Sequence, residues 1–384
     1  MSNRREPRLL SLDGGGARGW SQLLLLGHIT YGLEQRLNGN ESETLSAANL
    51  YPCQYFDIIV GSGTGGITAL MIGRLGMSIE QCYNAWKGLD EVFDSPDTEG
   101  KLFDAQKLEQ WAQDLVEEYT GDGNSLMYVN GEQNLNGKSC HVAVTSMRAQ
   151  NIGHPALFRT YRVRANAEAN CMIWEAIRAT MASPSLFKSI YIGPSWSKQE
   201  FINAELGANN PVSYLIREKE ALYRREGHYP PPDIGCIVSI GCGKGEVISL
   251  IEEKQSKGVW SWISGRAQSD PEQKVHDVML RLAKDCERKH QEIQSSFSRD
   301  DRRIYFRVNT QHGMQYIQES DWGENARTAI SAHVQSFRQH AEDGEVIDDV
   351  ITELARLSPL PKPTDQPGSG GYGEKARYVG SSYT

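Results

Sequence analysis

Hydrophobic and polar positions follow two alternating periods along the first part of the chain, and the changes of period fall at glycines. Residues 7–13 (P-R-L-L-S-L-D) form a short apolar run that ends at Gly14, Gly15 and Gly16. Residues 20–36 then carry Leu23, Leu24, Leu26, Ile29 and Leu33 at helical spacing. Apolar run, glycine turn and 3.6-residue period predict a strand, a turn and a helix. The unit repeats. Residues 55–60 (Y-F-D-I-I-V) are nearly all apolar, as a parallel strand covered on both faces must be. Glycines punctuate 61–66, and 67–75 continues as a helix. Two such units in succession predict an α/β fold with a mainly parallel central sheet and helices on both faces.

Further strands are expected at 140–145, 159–162, 190–192, 236–240 and 304–308, and helices at 79–86, 105–119, 173–181, 270–296 and 325–356. In the helix of 270–296, Val275, Val278, Met279, Leu282 and Cys286 fall along one stripe, which reads as a core-facing side. From Ser358 the chain is rich in Pro, Gly and Ser and is expected to be a flexible tail.

With 384 residues, 39% apolar and 23% charged, the chain is long and apolar enough for a substantial core. Its net charge of −9 comes without a basic patch, so nucleic acid is not an expected partner. Seven scattered cysteines show no C-x-x-C and no zinc spacing, which predicts reduced buried thiols, no metal and no cofactor. The charged N-terminal stretch lacks the apolar core of a secretory signal, and no run of 18 apolar residues occurs. A cytoplasmic location is expected. Peripheral membrane contact stays open, with Trp260 and Trp262 as either an interface anchor or core packing.

Three turns carry candidate chemistry. Asp13-Gly14-Gly15-Gly16-Ala17-Arg18-Gly19 lets successive amides converge at a helix start, where an anion or a developing oxyanion would sit; a tight packing turn is the alternative. Asp13 is expected to fix this loop through backbone hydrogen bonds. Gly61-Ser62-Gly63-Thr64-Gly65-Gly66 has the frame of a nucleophile elbow, but its middle residue is Gly63, which has no atom to attack with. The third stretch runs from Phe201 through Asn203, Ala204 and Glu205 to Asn209, Asn210 and Pro211, and reads by itself as a strand end and turn. His154, His228 and His312 lie in polar stretches and read as structural or solvent-facing.

Together these turns resemble the patatin-like phospholipase family. Its oxyanion loop D-G-G-G-x-R-G corresponds to 13–19, its elbow G-T-S-T-G-G to 61–66, and its loop D-G-G-x-x-A-N-N-P to 203–211. Three supporting stretches fit in order and spacing: 177–184 (I-R-A-T-M-A-S-P), 238–243 (V-S-I-G-C-G) and 103–108 (F-D-A-Q-K-L), the last resembling fungal members. The resemblance implies a three-layer patatin-like domain over 8–322, with 323–357 a helical extension and 358–384 the tail.

The family's mechanism, a serine nucleophile with an aspartate base, meets Gly63 and Asn203 here, and Ala204 and Glu205 replace the usual Gly-Gly. Losing nucleophile and base from such a unit leaves only about 10³–10⁴-fold over water. Ser62 and Thr64 flank the elbow but point elsewhere on a sharp turn. The expected function is therefore a repurposed non-hydrolytic enzyme of isomerase, cyclase or lyase type. It would act on a lipid, polyketide or terpenoid-like molecule held at Gly14, Gly15, Gly16, Ala17 and Arg18, with Glu205 as acid or base. A solvent-facing turn is the plainer role for Glu205. A lipid-binding pseudoenzyme and an esterase with a rearranged nucleophile remain as alternatives.

Overall fold

The computed structural model describes residues 6–38, 46–97, 99–100, 102–130, 140–164, 168–245, 248, 271–297 and 304–358. Eight strands form one sheet: β1 (Arg8–Leu12), β2 (Ile58–Ser62), β3 (His141–Arg148), β4 (Asn151–Arg159), β5 (Ile190–Ile192), β6 (Gln199–Ile202), β7 (Cys236–Ile240) and β8 (Tyr305–Val308). Their order is β5-β6-β3-β2-β1-β7-β8, with β4 paired to β3. The five strands β3-β2-β1-β7-β8 run parallel, while β4, β5 and β6 pair antiparallel at one side. Every residue of β1, β2 and β7 is buried, the reason their sequences are unbroken apolar runs rather than alternating ones.

Alternation across the strands divides the core into two layers. Leu10, Leu12 and Ile59 face α1 (Trp20–Asn38), whose Leu23, Leu26, Ile29 and Leu33 belong to the same cluster. Leu9, Ile58 and Val60 face the opposite side, where α7 (Val212–Arg225) brings Leu215 and Leu222. The larger layer also holds α2 (Gly63–Ala69), α3 (Ile79–Phe93), α4 (Ala105–Thr120) and α5 (Ile173–Met181), with α10 (Glu324–Gln339) and α11 (Ala341–Leu357) against α1. Helices therefore cover both faces of a mainly parallel sheet, as expected.

Several elements differ from expectation. The helix expected from 67 begins at Gly63 and widens over Leu70–Arg74. The helix expected at 270–296 is two, α8 (Pro271–Lys284) and α9 (Cys286–Ser296). Asp285 is extended between them, and its carboxylate accepts from the Glu287 amide at 2.9 Å. That expected at 325–356 breaks at His340, which is also extended. The strand expected at 159–162 is instead the end of β4. Its first half is exposed, so no apolar run marked it. Helix α7 was not anticipated, because only a narrow stripe of it touches the sheet. The core reading of the α8 stripe is wrong: Val275 and Leu282 are 43% exposed and Met279 63%. The helix contacts the body through the short α6 (Glu205–Ala208), which leaves that face open. Trp260, Trp262 and the tail beyond Ser358 lie outside the described residues. All seven cysteines are free thiols, and among the described residues no helix is long and apolar enough to cross a membrane.

Candidate active site

The C-terminal ends of the parallel strands β1 and β2 open onto one cleft, the place where this class of sheet presents its turns. From β1 the chain enters Asp13 and the three glycines. The Gly14 amide donates to the Asn209 carbonyl at 2.9 Å, and the Ala17 amide to the Glu319 carbonyl at 2.9 Å. Among the described residues the amides of Gly15 and Gly16 have no acceptor, which leaves two donors at the loop for an incoming oxygen.

Asp13 is fully buried. Its carboxylate holds the loop through the Arg307 side chain rather than through backbone amides, with Arg307 Nη2 to Asp13 Oδ2 at 2.7 Å. The same guanidinium donates to Glu287 Oε1 at 2.7 Å and Ser239 Oγ at 3.0 Å. Burial pushes Asp13 up to about 6 although Arg307 pulls against it. Burial would lower Arg307, but Asp13 and Glu287 outweigh it and hold the guanidinium above its usual range.

From β2 the chain turns at Gly63 into α2. Gly63 has φ +53°, the left-handed region that a sharp strand-to-helix corner demands, and its amide donates to Thr180 Oγ1 at 2.9 Å. A Cβ at this position would lie 3.5 Å from Gly14 Cα and 4.0 Å from the Thr180 carbonyl, so a side chain has room beside the glycine loop. Gly65 is the opposite case: a Cβ there would press on the Asp13 and Leu12 carbonyls, the latter at 2.6 Å. Ser62 and Thr64 are both buried, and Thr64 Oγ1 has no hydrogen-bond partner.

The opposite wall comes from the segments after α5 and β6. The Asn203 amide is fixed to the Ala182 carbonyl at 3.0 Å, and Asn203 Nδ2 donates to Glu205 Oε2 at 3.2 Å. Glu205 is not a solvent-facing turn residue; it is 8% exposed. Ser183 Oγ reaches both of its carboxylate oxygens at 3.1 Å, and Lys284 Nζ lies 3.1 Å from Oε2. Lys284 continues to Glu319 at 3.6 Å and Arg18 meets Glu319 at 3.4 Å, so alternating charges cross the cleft mouth. Burial would lower the Lys284 ammonium, but Glu319 and Glu205 outweigh it and raise it.

The cleft is lined by Gly14, Gly15, Gly16, Gly63, Thr64, Ser183, Asn203, Glu205, Asn209 and Glu319, with Met181 and Leu186 as its apolar part, and its volume is about 20 Å³. That is room for about one water. Of the expected site residues, Gly61, Ser62, Gly65, Ala17 and Arg18 frame the cleft without lining it. A larger cavity of about 280 Å³ lies elsewhere, beside Tyr128, Arg159 and Glu168. Its Arg159 is already bidentate to Glu218 at 2.6 and 2.8 Å, so its charge is spent within the protein. His154, His228 and His312 line neither space. Ser183, Lys284 and Glu319 were not singled out from the sequence. Ser183 lay inside the 177–184 stretch, whereas the other two sit in segments with no motif.

Residues 10–216 match the patatin-like phospholipase family description. The chain is 25% identical over 253 residues to calcium-independent phospholipase A2-gamma of Rattus norvegicus, covering 62% of this chain and 29% of that protein. It is 24% identical over 277 residues to patatin-like protein 2 of Arabidopsis thaliana, 67% of this chain and 65% of that protein. To the cGAMP-activated phospholipase of Vibrio cholerae it is 25% identical over 232 residues, 56% of this chain and 58% of that protein. The chain thus spans under a third of the length of the calcium-independent phospholipases it matches. With its glycine loop and elbow turn at the ends of adjacent parallel strands, the chain belongs to the patatin-like phospholipase family.

Proposed function

We propose that this protein processes the ester carbonyl of a lipid in the cleft between the glycine loop and Glu205, without the family's serine–aspartate pair. Position 63, where the nucleophile would stand, is glycine, and position 203, where the base would stand, is asparagine. The lipid substrate class follows from relatives that are named phospholipases. The observation that carries the reading is the space at Gly63. A left-handed corner with room for a side chain faces a loop whose Gly15 and Gly16 amides are unclaimed. Residues 8–322 are taken as the unit that carries the site, with 323–357 as its helical buttress. Non-covalent isomerase, cyclase or lyase chemistry would rest on Glu205 acting alone. That carboxylate already serves Ser183, Asn203 and Lys284, which favours chemistry at the ester carbonyl instead. Because the cleft holds about one water, admitting a substrate requires its lining to open, and the Glu319 contacts to Lys284 and Arg18 cross its mouth.

The test installs Gly63→Ser and Asn203→Asp in a Ser183→Ala background and follows release of a chromogenic short-chain ester. A rise of at least about 10²-fold over the Ser183→Ala parent is expected from a restored nucleophile and base. No rise, together with a native chain that is inert toward ester, would sink the reading of this cleft as a carbonyl site.

A further inference from the structure

We propose that Ser183 and Glu205 form a displaced serine–carboxylate dyad, a nucleophile and base that replace the pair absent from positions 63 and 203. The inference rests on the preceding reading of the cleft as an ester-carbonyl site and adds the residues that do the chemistry.

Ser183 is 1% exposed and Glu205 8%, and both line the same cleft as Gly14, Gly15 and Gly16. Ser183 Oγ stands 3.1 Å from each carboxylate oxygen, the reach a base needs to take a hydroxyl proton. Its remaining contact, Ser185 Oγ at 2.9 Å, is then a donor to Ser183, so the Ser183 proton points at Glu205. The base is itself oriented. Asn203 Nδ2 donates to Oε2 from one side, and Lys284 Nζ pairs with the same oxygen from α8. Nucleophile, base and a third group that orients the base make up the minimum arrangement for covalent acyl transfer. A buried serine and a buried glutamate that served packing alone would be an expensive way to fill this wall.

The reaction balances without a co-reactant other than water. Ser183 Oγ attacks the ester carbonyl while its proton passes to the Glu205 carboxylate. The tetrahedral oxyanion is received by the Gly15 and Gly16 amides. Its collapse breaks the bond to the alkoxide, which takes the proton from Glu205 and leaves as the alcohol. Water then attacks the Ser183 ester and gives its proton to Glu205. Ser183 departs, recovers the proton, and the fatty acid is released. Asn203 and Lys284 act through the Glu205 carboxylate that they hold, and are positioning residues.

The experiment treats the native full chain with a fluorophosphonate and maps the adduct by peptide mass spectrometry, alongside ester hydrolysis. The expected result is a phosphonylated peptide containing Ser183. The label should vanish in Ser183→Ala and form about 10²–10⁴-fold more slowly in Glu205→Gln. The Gly63→Ser, Asn203→Asp, Ser183→Ala protein checks folding, since it should hydrolyse ester through position 63. If that variant is active while the native chain is inert and unlabelled, the dyad is overturned and the carbonyl cleft stands. A native adduct on Ser62 or Thr64 also overturns it. Silence in both proteins overturns both readings. An adduct on Ser183 with a silent elbow variant keeps the dyad and removes only the elbow argument.

Discussion

The corner at Gly63 can be tested through stability, independently of any reaction. Gly63→Ala places a methyl 3.5 Å from Gly14 Cα and 4.0 Å from the Thr180 carbonyl, which are ordinary contact distances that require no neighbour to move. The cost is therefore conformational. Holding an L-residue at φ +53° costs about 1–2 kcal/mol. Restricting the unfolded chain returns about 0.4–1 kcal/mol. The net expectation is a loss of about 1 kcal/mol. Gly65→Ala, two residues away, is the control. Its methyl meets the Leu12 carbonyl oxygen at 2.6 Å and the Asp13 carbonyl closer still; Leu12 ends β1, which is locked by its pairing with β2 and β7, and Asp13 directly after it is held by its amide on the Ile240 carbonyl and by Gln22 Nε2 on its own carbonyl. Overpacking against an immovable backbone should cost about 3 kcal/mol or more. At about 1.2 °C per kcal/mol for a chain of this size, thermal melts should fall by roughly 1 °C for the first variant and 4 °C or more for the second. Equal losses would refute the reasoning, because they would mean that no side-chain space exists at the corner.

Three further outcomes follow from the buried charges. Burial pushes Asp13 up to about 6 when folded, above the 3.8 of a free carboxylate, so the folded state binds the extra proton. Its contribution, roughly 3 kcal/mol, is complete below about pH 4 and lost as pH rises through about 6. Asp13→Asn should flatten that fall in urea midpoints measured across the window, and an unchanged slope would contradict the assignment. Arg307→Met leaves Asp13 and Glu287 without their shared cation and should cost about 3–5 kcal/mol at neutral pH. Denaturant titration should find a smaller loss near pH 5, where Asp13 is protonated; equal losses would argue against coupling to Asp13. Lys284→Met strips Glu205 of the one cation paired with it among the described residues and should cost about 2 kcal/mol. Most of that should be recovered by adding Glu205→Gln, and strict additivity in the double-mutant cycle would refute the pair.

The layout of the fold could be read from the chain where physics is local. The apolar runs of β1, β2 and β7 are dictated by burial on both faces, and the glycine turns by the corners they make. Legibility fails where an element meets the core on a narrow edge or not at all. Helix α7 buries Val212, Leu215 and Leu222 against the sheet among mostly polar and charged neighbours, and the stripe of α8 is amphipathic without facing the core. Periodicity reveals that a face exists but does not name its partner. The candidate site divides in the same way. Gly15, Gly63, Asn203 and Glu205 sit in local turns and could be picked out by motif. Lys284 and Glu319 enter through tertiary contacts; Glu319 lies 301 residues from Arg18, and no sequence window spans that distance. Ser183 was visible as a letter, but its orientation toward Glu205 depends on how the turn after α5 meets the segment after β6.

The span between Asp13 and Arg307, 294 residues, has a consequence for biosynthesis. At a translation rate of about 5–20 residues per second, the glycine loop leaves the ribosome roughly 15–60 s before its guanidinium partner is made. Throughout that interval Asp13 lacks Arg307, and Ala17 lacks the Glu319 carbonyl that pins the loop. A growing chain therefore carries a glycine loop that is spelled out but not assembled. The cleft closes only when the strand carrying Arg307 and the segment carrying Glu319 arrive, so a ribosome that stalls before them releases a product with no working cleft.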